Sequence, residues 1–379
     1  MKDEKKAPKL RFKGFTDDWE QCKLGDLADI TTGSRNHQDS VTDGKYPFFV
    51  RSDKVERLNE YDFDTRAILV PGDGRIGEIF HYYNGKFALH QRVYKVDNFN
   101  GINALFLLSQ FKYSFKKHAL RLNAQGTVPS LRLPMFTNWN ISIPNITEQE
   151  RIGSFFRKLD QTITLHEEKK RQLERLKSAL LQKMFADKSG YPPVRFEGFS
   201  DKWEQVKYGE IFQRRSKMGV STPTLPSVEY DDINPGMGTL NKEPKSKGIS
   251  KRGIYFNPGD VLFGKLRPYL KNWLFACFEG VAVGDFWVLT SSKIDHGFTY
   301  SLIQTPGFQY IANLSSGSKM PRSDWGLVSN ARTFIPINHL EQERISSVLF
   351  GLDHAITLYE HKLEILNKIK SFLLQNMFI

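Results

Sequence analysis

A chain of 379 residues is too long for one ordinary domain and has room for two, each able to bury its own core. An apolar fraction of 40%, with 29 Phe, 14 Tyr and 6 Trp, excludes a disordered basic polypeptide. A formal charge of +12 favours a polyanionic partner. No apolar run approaches the ~20 residues of a membrane span and the start, MKDEKKAPKL, is charged, so the expectation is a cytoplasmic protein with no membrane partner. The two cysteines, Cys22 and Cys277, lie far apart, and the nine histidines never fall into metal-binding spacing.

In chain order, the first strand-rich body is expected over residues 11–146, with short apolar runs at 46–50 and 67–70 and a helix near 104–120. Residues 147–188 then read as a long helix, with Thr147 and Glu150 spaced as a capping box. Residues 195–338 form a second body, with strands near 259–263, 281–283 and 286–289 and a helix near 298–314. Residues 339–379 close the chain as a second long helix.

The second half repeats the first. Arg11-Phe-Lys-Gly-Phe-Thr-Asp-Asp-Trp-Glu-Gln21 returns 184 positions on as Arg195-Phe-Glu-Gly-Phe-Ser-Asp-Lys-Trp-Glu-Gln205. Glu148-Gln-Glu-Arg-Ile152 returns 193 positions on as Glu341-Gln-Glu-Arg-Ile345. Pro71-Gly-Asp73 pairs on sight with Pro258-Gly-Asp260. Repetition on this scale means duplicated domains. The helices share a heptad seam: Ile152, Phe156, Leu159, Ile163, His166, Lys170, Leu173, Lys177, Leu180 and Met184 each have a counterpart 193 residues later. Helices of this length with one apolar seam need a partner, and each other's copy is the obvious one. Antiparallel pairing would set the two bodies at opposite ends. The expected class is therefore α+β: two duplicated, strand-rich mixed domains separated by two long antiparallel coiled-coil helices with pseudo-two-fold symmetry.

Basic and amide side chains gather in the predicted loops. Arg, Asn and Gln form bidentate bonds to base edges, while Lys and Ser grip phosphates. The candidate DNA-binding residues are Arg35, Asn36, His37, Gln38, Arg75, Asn123, Gln125, Thr127 and Ser130 in the first body. In the second they are Arg214, Arg215, Lys217, Lys265, Arg267, Tyr269, Ser318, Lys319 and Arg322.

No catalytic or metal-binding residues are expected. Gly259-Asp-Val-Leu-Phe-Gly-Lys265 departs from a phosphate-binding loop at Leu266, where Ser or Thr should ligate magnesium. Asp232 with Glu243 and Lys245 has the acid-acid-lysine pattern of magnesium-dependent nucleases but lacks a counterpart in the first body. A nuclease using those three residues and a non-catalytic assembly scaffold are the alternatives to a DNA-reading protein.

The chain resembles the specificity subunits of type I restriction-modification systems. The resemblance rests on the two RFxGFxDxWEQ openings, the Pro-Gly-Asp turns, Gly126-Thr-Val-Pro-Ser130, and the Ile143-Pro144 and Ile335-Pro336 exits. It rests also on the two Glu-Gln-Glu-Arg-Ile helix starts and the Leu-Leu-Gln-x-Met-Phe endings at 180–185 and 373–378. It implies a non-catalytic subunit that reads a split double-stranded DNA target, one half-site per recognition domain. It further implies two modification (methyltransferase) subunits that carry S-adenosylmethionine, and restriction (endonuclease and translocase) subunits that use ATP and magnesium. No cofactor is implied for this chain. The second loop, Gly317-Ser-Lys-Met-Pro-Arg-Ser323, departs from the pattern of the first.

Overall fold

The computed structural model describes residues 7–123, 129–243, 250–314 and 320–379. Two compact units divide it. Unit 1 takes the chain to Leu165 together with Leu363–Ile379, and unit 2 takes His166–Lys362. Both borders fall inside the long helices, so each unit combines one strand-rich body with a stretch of both helices.

In unit 1 the chain enters through β1 (Glu20–Lys23), β2 (Asp29–Thr32), β3 (Tyr46–Phe49), β4 (Val55–Leu58), β5 (Phe63–Pro71), β6 (His81–Leu89) and β7 (Val93–Asp97). Then come α1 (Ala104–Gln110), a π-helical turn (Phe111–Phe115), α2 (Lys116–Leu122), α3 (Leu133–Thr137), β8 (Asn140–Ile143) and the long α4 (Ile146–Lys183). Six strands form one sheet in the order β2-β7-β5-β6-β3-β4, while β1 and β8 form a separate ribbon. The centre of the sheet is apolar on both faces: Ala67, Ile68, Leu69 and Val70 are all fully buried. One face packs on Phe106, Phe111, Phe115 and Phe136 from the helices, the other on Phe49, Phe87 and Leu89.

Unit 2 repeats the plan with β9 (Glu204–Lys207), α5 (Tyr208–Ile211), β10 (Gln213–Arg214), β11 (Met218–Val220), β12 (Ser227–Val228), β13 (Ile233–Asn234), β14 (Thr239–Leu240) and β15 (Arg252–Phe256). It continues with β16 (Val261–Gly264), β17 (Trp273–Phe275), β18 (Gly280–Ala282), β19 (Phe286–Thr290), α6 (His296–Ile303), α7 (Pro306–Ala312), α8 (Trp325–Asn330), β20 (Arg332–Ile335) and α9 (His339–Met377). Here eight strands form two four-stranded sheets, β10-β19-β16-β17 and β11-β15-β18-β12, while β13 with β14 and β9 with β20 form separate ribbons.

Strand register corrects one equivalence read from sequence. Ile68↔Val96 and Pro71↔Val93 in unit 1 correspond to Val261↔Leu289 and Gly264↔Phe286 in unit 2, all at an offset of 193. Phe63↔Phe87 likewise corresponds to Phe256↔Gly280. The single strand β5 of unit 1 is therefore split into β15 and β16, and Pro258-Gly-Asp260 occupies the split. Pro71-Gly-Asp73 instead ends the strand, with Pro71 as its last residue, and matches Gly264-Lys265-Leu266. A proline cannot donate to the ladder, and Gly259 adopts φ +87°, so the strand breaks there and the sheet divides. The supposed phosphate-loop segment ending at Lys265 is largely β16.

The repeated motifs are structural stitches. Arg11 forms a bidentate pair with the fully buried Glu148 (2.7 Å to each oxygen), and Arg195 does the same with Glu341 (2.7 and 2.9 Å). Phe15 lies under the Arg151 guanidinium (5.2 Å) and Phe199 under Arg344 (5.4 Å). Gln149 and Gln342 each donate to the carbonyl of the preceding exit proline, Pro144 or Pro336. The openings and the helix starts thus hold each other.

The seam reading also holds, since all ten positions on each helix are buried or half-buried. The polar interruptions find partners: Lys370 reaches Asp160 in unit 1, while Lys170–Glu360 and Lys177–Asp353 pair in unit 2. In each unit one helix number rises as the other falls, so the helices run antiparallel. The N-cap differs from expectation. Asn145, not Thr147, accepts the Glu148 amide (3.0 Å), and Asn338 caps α9 through the Leu340 amide (2.9 Å). α4 also stops at Lys183, short of 188, because Met184 and Phe185 turn into the core against Trp203 and Phe298. Met377 and Phe378 do the equivalent in unit 1, against Trp19 and Phe106.

Candidate nucleic-acid interface

In unit 1, five loops converge at one end of the six-stranded sheet through backbone hydrogen bonds. Arg35 donates to Leu89 (3.2 Å) and Gln91 to Arg35 (2.9 Å). His90 donates to Phe49 (3.0 Å), Gly72 to Arg92 (2.7 Å) and Leu131 to Gly72 (2.6 Å). Gly33 is required for this approach, because a Cβ there would stand 2.0 Å from the Leu89 carbonyl oxygen. Asp73 and Ser130 form an isolated bridge, and Asn123 accepts the Ser130 amide (3.0 Å) while donating to Ala119 (2.8 Å). Asn123 and Ser130 are thereby pinned beside the turn that carries Arg75. Gln125 and Thr127 lie outside the described residues.

The charged groups on this face fall into two kinds. Arg51 meets Asp73 and Arg75 meets Asp53, both at 3.3 Å and with the arginine side chains 52% and 60% exposed. Loose exposed pairs of this sort contribute about 0–1 kcal/mol, so a phosphate or base edge can displace the carboxylate at small cost. Arg35 is different: it is 29% exposed and clamped between Asp62 (2.8 Å) and Glu60 (2.9 Å). It supports the loop more than it offers a free fork. Asn36 accepts from the exposed Gln91 amide (2.7 Å), His37 meets Glu56 (2.9 Å), and Gln38 is exposed on the same short turn. His90 is buried, and burial followed by the nearby Arg51 lowers its pKa, so it stays neutral and accepts the Arg92 amide through Nδ1.

The same end of unit 2 is knit alike. Lys265 donates to Asp285 (2.8 Å), Ser323 to Lys265 (2.8 Å) and Arg267 to Pro321 (2.7 Å). Leu266 and Arg322 form the bridge that matches Asp73 and Ser130. Asp285 is the hub: its carboxylate accepts from Arg322 Nε and Nη2 (3.1 and 3.0 Å), Lys265 Nζ lies at 3.5 Å, and its carbonyl accepts from Tyr230 Oη (2.6 Å). Burial pushes the Tyr230 phenol up to about 12, keeping it a donor. Arg267 and Lys271 hold left-handed backbone (φ +48° and +58°) around the turn that presents the exposed Tyr269. Lys265, Arg267, Tyr269 and Arg322 therefore come together. Ser318 and Lys319 lie outside the described residues.

Arg214, Arg215 and Lys217 do not join that cluster. Arg214 stacks on Trp325 (4.6 Å), Arg215 forms a bidentate pair with the fully buried Asp260, and Lys217 lies over Tyr255 (5.6 Å). Asp232 is likewise employed structurally. It is buried, caps the turn at Tyr230 by accepting the Glu229 amide (2.9 Å), and meets Lys242 at 2.8 Å. Lys245 lies outside the described residues, and among those described no group of three or more His, Cys, Asp or Glu is placed to hold a metal. No described helix is long and apolar enough to cross a membrane.

Sequence reading missed Arg51, Gln91, Arg92 and Asp285. A signal existed for Arg51, which directly follows the apolar run at 46–50. Asp285 could not be found, since its role depends on register between β16 and β19.

Residues 16–175 match the family model described as the type I restriction modification DNA specificity domain. The specificity subunit of the type I restriction enzyme EcoDI of Escherichia coli is 24% identical over 365 residues, covering 87% of this chain and 77% of the relative. That of the type I restriction enzyme MjaVIII of Methanocaldococcus jannaschii is 23% identical, covering 93% and 90%. Among solved structures, the S subunit of a type I restriction-modification system from M. genitalium shares the fold, with a TM-score of 0.74, 16% identity and coverage of 98% and 99%.

Proposed function

From its similarity to the specificity subunits of type I restriction-modification systems, we propose that the chain is such a subunit and reads a bipartite double-stranded DNA target, one half-site per unit. The observation that carries this reading is the repeated loop cluster. In each unit the loops after the central strands are locked together by backbone hydrogen bonds, yet present guanidiniums that are more than half exposed and paired with a single carboxylate each. Rigid loops with exchangeable cations suit base readout, because register is fixed while the donors stay available.

The side chains proposed to meet DNA are Arg75, Asn36, Gln38 and Ser130 in unit 1 and Lys265, Arg267, Tyr269 and Arg322 in unit 2, with Arg51, Gln91 and Arg92 added. Gln125, Thr127, Ser318 and Lys319 belong to the same proposal on their place in the sequence alone. Arg35, His37 and Asn123 support these contacts, whereas Arg214 and Arg215, at the far end of β16 and β19 from Lys265, and Lys217 over Tyr255 are left out of the proposed surface. The chain itself performs no chemistry and works in the cytoplasm. S-adenosylmethionine, ATP and magnesium belong to two modification subunits and the restriction subunits. The outward-facing Leu165 on α4 and its counterpart Leu358 on α9, both exposed, are proposed contacts for the modification subunits, repeated as two identical partners would require.

The test is a base-by-base competition with the chain bound to its modification subunits. Arg75→Ala should weaken or relax one half-site and Arg322→Ala the other, each by roughly 1–3 kcal/mol if bidentate to a base. Equal effects of either substitution on both half-sites would contradict the division of labour.

A further inference from the structure

At an offset of 193, residues 112–121 (KYSFKKHALR) align with 305–314 (TPGFQYIANL). The match is structural: Phe115 and Phe308 are fully buried, as are Ala119 and Ala312. The first segment carries Lys112, Lys116, Lys117 and Arg121 with no acid, and the second carries no charge at all. Lys112 is spent on Asp160, and Lys116 on Glu78 (2.6 Å). Lys117 and Arg121 are exposed, lie four residues apart on one face of α2, and have no ion-pair partner among the described residues. With His118 they border an open cleft of about 440 Å³ whose other walls include Gln21, Asn138 and Asn140.

The two ends of α2 are tied to the reading loops. Glu78, which holds Lys116, donates its amide to the Arg75 carbonyl (3.3 Å), and α2 ends at Asn123, which accepts from Ser130. In unit 2 the positions of Lys117 and Arg121 are Tyr310 and Leu314, both exposed. Resting on the DNA-reading function proposed above, we infer that Lys117 and Arg121 form a phosphate clamp beside the unit 1 half-site, with no counterpart at the equivalent positions among the described residues of unit 2. The two halves of the target are then gripped with unequal electrostatic strength, although both are read for sequence.

The experiment measures binding of the specific duplex by the chain in complex with its modification subunits, from 50 to 200 mM salt. Each phosphate contact contributes about 0.9 to the slope of log K against log salt. Lys117→Gln with Arg121→Gln should lower that slope by about 1.8, so that the double variant loses roughly tenfold less affinity than the parent across this range. Half-site preference should not change. Lys117→Arg with Arg121→Lys should keep the parental slope, and Tyr310→Lys with Leu314→Arg should steepen it. A slope unmoved by the double variant would overturn the clamp. So would an equal drop from Lys362→Gln with Lys368→Gln, since net charge alone would then account for it. If the parent complex selects no DNA sequence, the underlying function fails as well; selection with an unmoved slope removes only the clamp.

Discussion

At the scale of single residues, the chain uses arginine in two ways that exposure and geometry separate. Arg11 and Arg195 hold buried carboxylates in bidentate pairs. Removing either leaves Glu148 or Glu341 uncompensated, and Arg11→Met or Arg195→Met should cost about 3–5 kcal/mol in denaturant unfolding. Arg75→Ala removes only a loose exposed pair and should move stability by less than about 0.5 kcal/mol while changing DNA selectivity. The sequence showed which residues repeat but not which kind each was. Arg35 and Arg215 look in sequence like surface cations, and only the fold brings Asp62 and Asp260 to them. Arg75, by contrast, was legible as a loop cation because it follows an apolar run and two glycines.

At the scale of elements, the heptads made the helices and their pairing readable in advance, since period and registry are local properties. The division of the sheet was not readable, because a Pro-Gly-Asp triplet can follow a strand or interrupt one, and only pairing register distinguishes them. The helix pairs also differ between units. Asp160 in unit 1 is partly buried, which alone would raise its pKa, but Lys112 and Lys370 outweigh this and hold it low. Its counterpart Asp353 is raised, because burial outweighs the single Lys177. A lowered carboxylate stabilises the fold above its unfolded pKa, and that contribution vanishes as pH falls through the lowered value. A raised one does the reverse, so acid relieves its penalty. Amide protection factors, corrected for the intrinsic exchange rate, should therefore fall along 152–165 as pH drops below about 4, more than along 345–358. Asp160→Asn should remove that difference. Placing charge outside the seam tests another role: Leu165→Glu with Leu358→Glu should leave the helices folded by circular dichroism while abolishing copurification of the modification subunit.

At the scale of the whole molecule, duplication is what makes the function intelligible. The repeated ends carry the stitches, and the unlike middles carry Arg75 and Ser130 in one unit against Lys265, Arg267 and Arg322 in the other. Two bodies built alike but furnished differently suit a target of two unlike halves. The most direct measurement is selection from a random duplex pool by the chain bound to its modification subunits, at near-physiological salt so that non-specific phosphate binding does not dominate. The account predicts a split motif with a fixed gap, in which exchanging residues 19–144 for those of a relative changes one half only. An unselected pool, or a change in both halves, would contradict it.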